Sequence, residues 1–397
     1  MISLTPSQLK AEQELKKFFN DPTQTCICLS GKPGVGKTYF INEVVKKLGK
    51  LGNRVVVTAT TNKAAILLKG ITIHSALGVK VSQNEATKTY KLNTKNLKPI
   101  HNSVIIIDES SMLEKTMLDV ILNNCINCKI IFVGDKDQLP AIKQPAKVFD
   151  LYPVIELTDI VRQKKQDLID TIEEARQAIY TEELILPDAS PNVHIISSDK
   201  ELHDAIKSFG SEDKILSYTN DEVIKFNKLY RDLHGLDKEF KVGDVIVAKN
   251  YAETPGRNKS SVFAEEEALI EYISKPHNLV LPEGKTKFMV KDVKLYGKPC
   301  MFYTPEDTQE YLKYLKKLWE GKSDYYFFFR ENIADLRDIF SCTVHAAQGS
   351  TYNKVLINLD DIVKPRRGVS LITKAKLLYV ALSRAKEEIY IYTKEYA

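Results

Sequence analysis

Short β-branched apolar runs recur along the first part of the chain, each followed by a polar cluster. Thr25-Cys26-Ile27-Cys28-Leu29, Arg54-Val55-Val56-Val57-Thr58-Ala59, Ser103-Val104-Ile105-Ile106-Ile107 and Lys129-Ile130-Ile131-Phe132-Val133 read as strands. Between the first two, apolar residues at 40, 41, 44, 45 and 48 fit one face of a helix. Strand–helix–strand alternation of this kind predicts an α/β fold with a parallel sheet. Near the start, Thr5 reads as a helix cap, with Pro6 at the first helical position and Gln8 as its capping-box partner. Residues 165–180 read as a charged amphipathic helix. Lys214-Ile215-Leu216-Ser217-Tyr218 reads as a strand that ends in Thr219-Asn220-Asp221 before another helix. After residue 343 the pattern returns, with strands at 354–359 and 388–392 around a helix at 377–385.

Two stretches break the alternation. Residues 79–100 are polar and lysine-rich, and Val79, Val81, Tyr90 and Leu92 suggest a β-hairpin turning near 83–87. From 241 to 299 short strand-like runs alternate with turns at Thr254-Pro255-Gly256-Arg257-Asn258, Lys275-Pro276-His277-Asn278 and Pro282-Glu283-Gly284, as in a small antiparallel barrel. A helix is expected over 305–320, with Leu312, Leu315, Leu318 and Trp319 on one face. Tyr325-Tyr326-Phe327-Phe328-Phe329 reads as a core strand, with base stacking as the alternative.

A chain of 397 residues leaves room for two or more domains. The excess of basic residues, 57 against 52 acidic, is too small to demand a polyanionic partner. No signal peptide and no apolar run long enough to span a bilayer is visible, so a cytoplasmic location is expected, bacterial or in a phage-infected host. Cys125 and Cys128 form a C-x-x-C pair without a second ligand pair, so the cysteines read as reduced thiols.

The most specific chemistry lies in Gly31-Lys32-Pro33-Gly34-Val35-Gly36-Lys37-Thr38, a phosphate-binding loop pattern placed between a strand and a helix. Backbone N–H groups of Gly34, Val35 and Gly36 and the helix N-terminus would cradle a polyphosphate. Lys37 would sit on the terminal phosphates and Thr38 would hold Mg²⁺. Asp108 and Glu109 end a buried-type strand. Asp108 can reach the metal shell, and Glu109 can take a proton from a water in line with the terminal phosphate. Gln138 lies in the polar loop that ends the next strand; it could sense that phosphate or belong to an ordinary loop, and spacing alone does not decide between the two. Arg162 and Arg384 are candidate arginine fingers, although spacing alone leaves both as ordinary surface arginines. Thr60, Thr61, Asn62 and Lys63 leave the C-terminal end of a strand. They can meet a phosphate backbone, or Thr61 or Asn62 can simply cap the next helix.

Taken together these stretches resemble the superfamily 1B helicases, closest to the Dda-type phage helicases and RecD. The blocks follow family order from residue 4 to 392: motif I at 31–38, Ia at 58–65, Ib at 73–75, II at 108–112, III at 134–140, IV at 161–163, V at 343–349 and VI at 379–385. The resemblance implies two RecA-like domains, 1–155 and 156–240 with 336–397, with ATP and Mg²⁺ between them. It implies a strand-separating pin at 79–100 and an SH3-like barrel inserted at 241–335. Gln8 matches the adenine-reading glutamine, and Tyr39 and Gly349 fall among the nucleotide-binding positions. Arg162 and Arg384 match the fingers, and Gln138 the sensor. Thr60, Thr61, Asn62, Lys63, His74, Asn220, Thr343 and His345 fall where the family touches single-stranded DNA, with Tyr90 as the wedge of the pin.

The implied activity is 5′→3′ translocation on single-stranded DNA with unwinding of forked duplexes, in replication, recombination or repair. Single-strand-binding or other replication proteins would be partners. Thr60 stands where the family often has proline, and Phe263-Ala264-Glu265-Glu266 replaces the usual Asn-Gly turn of the barrel. An RNA helicase and a nucleic-acid-independent ATPase remain the alternatives.

Overall fold

The computed structural model describes residues 4–395 except 84–89, 142–143, 162–163, 255–258, 281–286, 322 and 324. Contacts divide the chain into two compact units, Met1–Val223 with Cys342–Ala397, and Ile224–Ser341.

The first unit holds two parallel sheets. In one, the order is Val154–Leu157, Cys26–Gly31, Lys129–Gly134, Val104–Asp108, Val55–Ala59, Ile71–Thr72, and each neighbouring pair is parallel. Period-2 geometry sends Cys26 and Cys28 into one core and Ile27 and Leu29 into the core on the opposite face. Every residue of Cys26–Gly31 is therefore buried, as expected for a sheet covered on both sides. In register, Ser30 lies opposite Gly134 and Ala59 opposite Asp108. The loops that leave these four strands consequently gather at one edge.

The other sheet places Val193–Ile196, Ala385–Tyr392, Tyr352–Asn358 and Lys214–Ser217 side by side, all parallel. Helix Leu371–Leu382 is apolar on nearly every face and is buried on nearly every face. Its one buried cation, Lys374, donates to the Val363 carbonyl at 2.6 Å.

The second unit is an antiparallel sheet ordered His277–Val280, Lys287–Leu295, Glu267–Ile273, Val245–Ala248, Leu336–Asp338, with Met301–Pro305 also on Lys287–Leu295. The turn expected at 275–278 is shorter, because a strand begins at His277. The turns expected at 254–258 and 282–284 fall largely or wholly outside the described residues.

The aromatic run is not a strand. Residues 325–329 open the helix Tyr325–Asn332. Tyr325, Phe328, Phe329 and Ile333 share a small core with Leu312, Leu315 and Leu318 of helix Thr308–Glu320. Spacings of three and four residues are helical, and the chain turns into the helix where Ser323 accepts the Tyr325 N–H at 3.3 Å. In residues 79–100, strands Lys80–Gln83 and Tyr90–Asn93 pair antiparallel, and most of the expected turn lies outside the described residues.

Gly70 tests the packing of the first sheet. A Cβ added there would stand 2.4 Å from the Val57 carbonyl oxygen, which belongs to an interior strand. Gly70→Ala should cost about 1–3 kcal/mol through overpacking. Urea unfolding would register this as a lower midpoint; an unchanged midpoint would mean the loop does not pack on the strand in this way.

Candidate active site

The phosphate loop follows from steric demands. Gly34 and Gly36 take positive φ, 89° and 76°. The second caps the helix Lys37–Lys50, whose first N–H groups point into the loop. Side chains are excluded at two points: a Cβ on Gly31 would meet Val35 at 2.7 Å, and one on Gly36 would meet the Gln8 amide at 2.9 Å. Lys37 donates to the carbonyls of Gly31 (2.6 Å) and Lys32 (3.2 Å). Burial pulls its amine below the usual lysine range, opposed by Asp135, Glu109 and Asp108. Gln8 forms the capping box, accepting the Thr5 N–H at 3.1 Å, and also donates to the Val35 carbonyl at 3.1 Å. Thr38 is exposed and Tyr39 partly buried. Arg162 lies outside the described residues; the residue before it, Val161, donates its N–H to Gly34 at 2.8 Å.

Asp108 and Glu109 emerge beside the loop. Asp108 is buried and accepts the Glu109 N–H at 2.8 Å; burial raises its carboxyl pKa. Glu109 adopts a left-handed backbone, φ 53°. Burial first, and Asp108 second, push its carboxyl up to about 7, opposed by Lys37 and Arg384. One strand over, Asp135 is 2% exposed and accepts from Tyr379 Oη (2.8 Å) and Gln138 Nε2 (3.3 Å).

Residues of the second sheet and its helices face this edge. A Cβ on Gly349 would stand 3.3 Å from Glu109 Oε1, so only glycine fits without pressing on the carboxylate. Arg384 is 2% exposed. Its described hydrogen bonds go to neutral oxygens: Nε to Val380 (3.0 Å), Nη1 to Ser350 (3.2 Å) and Nη2 to Ser383 Oγ (2.7 Å). Burial lowers its pKa, and Glu109 is the foremost group opposing that. Two ion pairs join helix Gln166–Thr181 to the first sheet's loops. Lys32 donates to Glu173, and Arg176 Nε donates to Asp137 at 2.5 Å, where Tyr180 also donates.

Among the described residues, Ser111 Oγ, Gln138 Oε1, Ser350 Oγ and both polar atoms of the Gln348 amide are buried with no hydrogen-bond partner. Orphaned groups of this kind are costly unless something completes them. Ser111 lies two residues past Glu109, Gln348 adjoins Gly349, the Ser350 carbonyl accepts from Arg384, and Gln138 donates to Asp135. Together with the glycine cradle, the free edge of Thr38 and the Asp108 carboxylate, they fit a nucleoside triphosphate with a divalent cation.

The residues expected on DNA divide into several environments. Thr61 caps helix Asn62–Leu67, accepting from Ala64 N at 3.3 Å, and Asn62 and Lys63 begin that helix partly exposed. Thr60 donates its hydroxyl to the Glu109 carbonyl at 2.9 Å. His74 and His345 are partly buried, and burial lowers both imidazole pKa values. His345 lies against Tyr218 with centroids 6.0 Å apart, and Thr343 Oγ1 accepts the Ala346 N–H at 3.2 Å. Asn220 is exposed at the start of helix Asn220–Leu233. Tyr90 pairs with Gln83 through the backbone.

Sequence reasoning passed over Asp135, Asp137, Arg176, Tyr379, Gln348 and Ser350. The two aspartates stand in the quoted motif III, so alternating carboxylates were a usable signal. Their partners Tyr379 and Arg176 lie 244 and 39 residues away in sequence; Tyr379 opens motif VI, but nothing in its position announces a bond to Asp135, and Arg176 carries no signal at all.

Comparison with known proteins agrees with this geometry. A family described as AAA domain matches residues 3–198, and the UvrD-like helicase C-terminal domain matches 338–392. An uncharacterized protein of Acanthamoeba polyphaga mimivirus, R530, is 25% identical over 97% of this chain and 98% of its own length. The ATP-dependent RecD2 DNA helicase of Deinococcus radiodurans is 30% identical over 36% of this chain and 20% of its own. The matched regions span between 11% and 30% of the helicases named among the curated relatives. The crystal structure of a Bacteroides Pif1 helicase in complex with ADP-AlF3 and ssDNA superposes with a TM-score of 0.54 at 18% identity, covering 98% of this chain and 92% of that one. The chain thus carries an AAA domain followed by a UvrD-like helicase C-terminal domain, shares the fold of a Pif1 helicase, and is similar in sequence to ATP-dependent DNA helicases of the Pif1 and RecD2 kind, which supports a superfamily 1B helicase.

Proposed function

We propose that this chain is a motor that moves 5′→3′ along single-stranded DNA and opens forked duplexes. The observation that carries this reading is the close approach of Gly349, on the side of one parallel sheet, to the Glu109 carboxylate of the other, with the buried Arg384 guanidinium acting on that same carboxylate. A hydrolytic group completed by both sheets couples turnover to their relative position. The working division is 1–155 against 156–240 with 336–397, with 241–335 as an inserted body and 79–100 as a pin bearing Tyr90.

Within the site, Lys37 turns from the Gly31 and Lys32 carbonyls to the terminal phosphate oxygens. Glu109 orients the attacking water and accepts its proton. Arg384, with Arg162, supplies positive charge where the transition state gathers negative charge, and Gln138 reports the state of that phosphate to Tyr379 through Asp135. Thr38 and Asp108 would hold Mg²⁺, which supplies Lewis-acid stabilisation of the phosphate oxygens. Gln8 fixes the loop from the adenine side. Thr61, Asn62, Lys63, His74, Asn220, Thr343 and His345 line the strand's path, supported by their position beyond the strand ends. The Bacteroides Pif1 complex with single-stranded DNA supports DNA as substrate. Replication, recombination or repair is the fitting process, with single-strand-binding protein as a natural partner.

Three outcomes are expected. Lys37→Ala should reduce ATP turnover about a hundredfold or more while leaving single-strand affinity intact, read by phosphate release and by anisotropy. Turnover at the wild-type rate would remove Lys37 from the site.

Glu109 must be ionised to accept a proton, and its pKa is raised to about 7. The acid limb of kcat/KM for ATP should therefore bend near pH 7, falling about tenfold per unit below that. A limb bending at the ordinary glutamate value would place the carboxylate in solvent.

Under ATP and Mg²⁺, only duplexes with a 5′ single-stranded tail should open. Opening confined to 3′ tails would reverse the direction and the pin assignment.

A further inference from the structure

Thr60 has two donors, and both are engaged within the chain. Its backbone N–H goes to the Asp108 carbonyl at 3.1 Å, extending the ladder between Val55–Ala59 and Val104–Asp108. Its hydroxyl goes to the Glu109 carbonyl at 2.9 Å. A hydroxyl has one proton, and a DNA phosphate only accepts. While Thr60 serves Glu109 it has no proton for a phosphate.

The bond has an evident task. Glu109 is a non-glycine residue at φ 53°, a conformation that persists only when its surroundings enforce it. Three hydrogen bonds do so: Asp108 Oδ1 accepts its N–H at 2.8 Å, and its carbonyl accepts from Met112 N at 3.0 Å and Thr60 Oγ1 at 2.9 Å. The Thr60 bond alone comes from another strand, 49 residues away in sequence. It ties the hydrolytic residue to the loop that continues into Thr61, Asn62 and Lys63. The turn so fixed sets the carboxylate against Gly349.

We propose that Thr60 is a positioning residue for Glu109: its hydroxyl locks the left-handed turn that aims the carboxylate and is not a DNA contact. The proposal rests on the reading of Glu109 as the group that activates water. It also makes residues 60–63 a mechanical link, because a strand pulling on Lys63 or Asn62 pulls on the segment that holds Glu109.

Thr60→Val keeps the branched shape and removes the proton donor, and Thr60→Ser keeps the donor and removes the methyl. In the full-length chain with saturating oligo-dT, T60V should lower kcat for ATP about tenfold, the scale of one lost positioning hydrogen bond. KM for ATP and the dissociation constant for oligo-dT should stay within about twofold, since neither site loses a contact. T60S should restore kcat. Weakened oligo-dT binding by T60V with unchanged kcat at saturation would overturn the proposal and make Thr60 a DNA contact. Equal kcat for T60V and wild type would also overturn it. Glu109→Gln, run in parallel, separates the two levels. If it turns over normally, the active-site reading falls and the proposal with it. If it is inactive while T60V is unaffected, only the Thr60 proposal falls.

Discussion

The structure depends on one constraint: a buried carboxylate must be compensated. Asp108 and Asp135 are buried at neighbouring strand ends, with Glu109 partly buried beside them. Lys37 compensates them from the same sheet, and Arg384 and Tyr379 from the other side. Neither sheet supplies a balanced set. The first holds the acids and one amine; the second holds a guanidinium whose described partners are neutral. The two halves thus need one another electrostatically, and added phosphate charge would redistribute that need rather than create it.

Backbone geometry serves this constraint as much as side chains do. Gly349 and Gly36 both hold positive φ, 74° and 76°, which side chains rarely adopt, and each also lies close to a side-chain end, Glu109 Oε1 and the Gln8 amide. Gln8 fills its expected capping role and adds a second contact. It closes the capping box at Thr5 and fastens the phosphate loop through Val35.

Much of this was legible beforehand, for a physical reason. Phosphate binding is encoded locally: residues 31–38 carry the whole turn, and runs such as Val104–Asp108 declare buried strands by composition. The order of the motifs along the chain then carried the resemblance to helicases. What stayed hidden was non-local or ambiguous in period. The helix at 325–332 was misread because a run aromatic at every position satisfies a two-residue and a 3.6-residue repeat equally. The engagement of Thr60 by Glu109, and of Asp137 by Arg176, depends on which loops meet, and no spacing reports that.

The helix Gln166–Thr181 has a consequence beyond its ion pairs. Near its C-terminal end, Arg176 and Tyr180, one turn apart, clasp Asp137. At its other end Asp167 accepts from Ser190 and Asn192, just ahead of the strand Val193–Ile196. From Arg176 back to Gln166 the helix runs roughly 15 Å at about 1.5 Å per residue. A rod clasped at both ends does not absorb movement; it transmits it. A rotation at Asp137 would reach Asp167 as a displacement, so the helix links the loop beside the buried carboxylates to the far margin of the second sheet as a connecting rod.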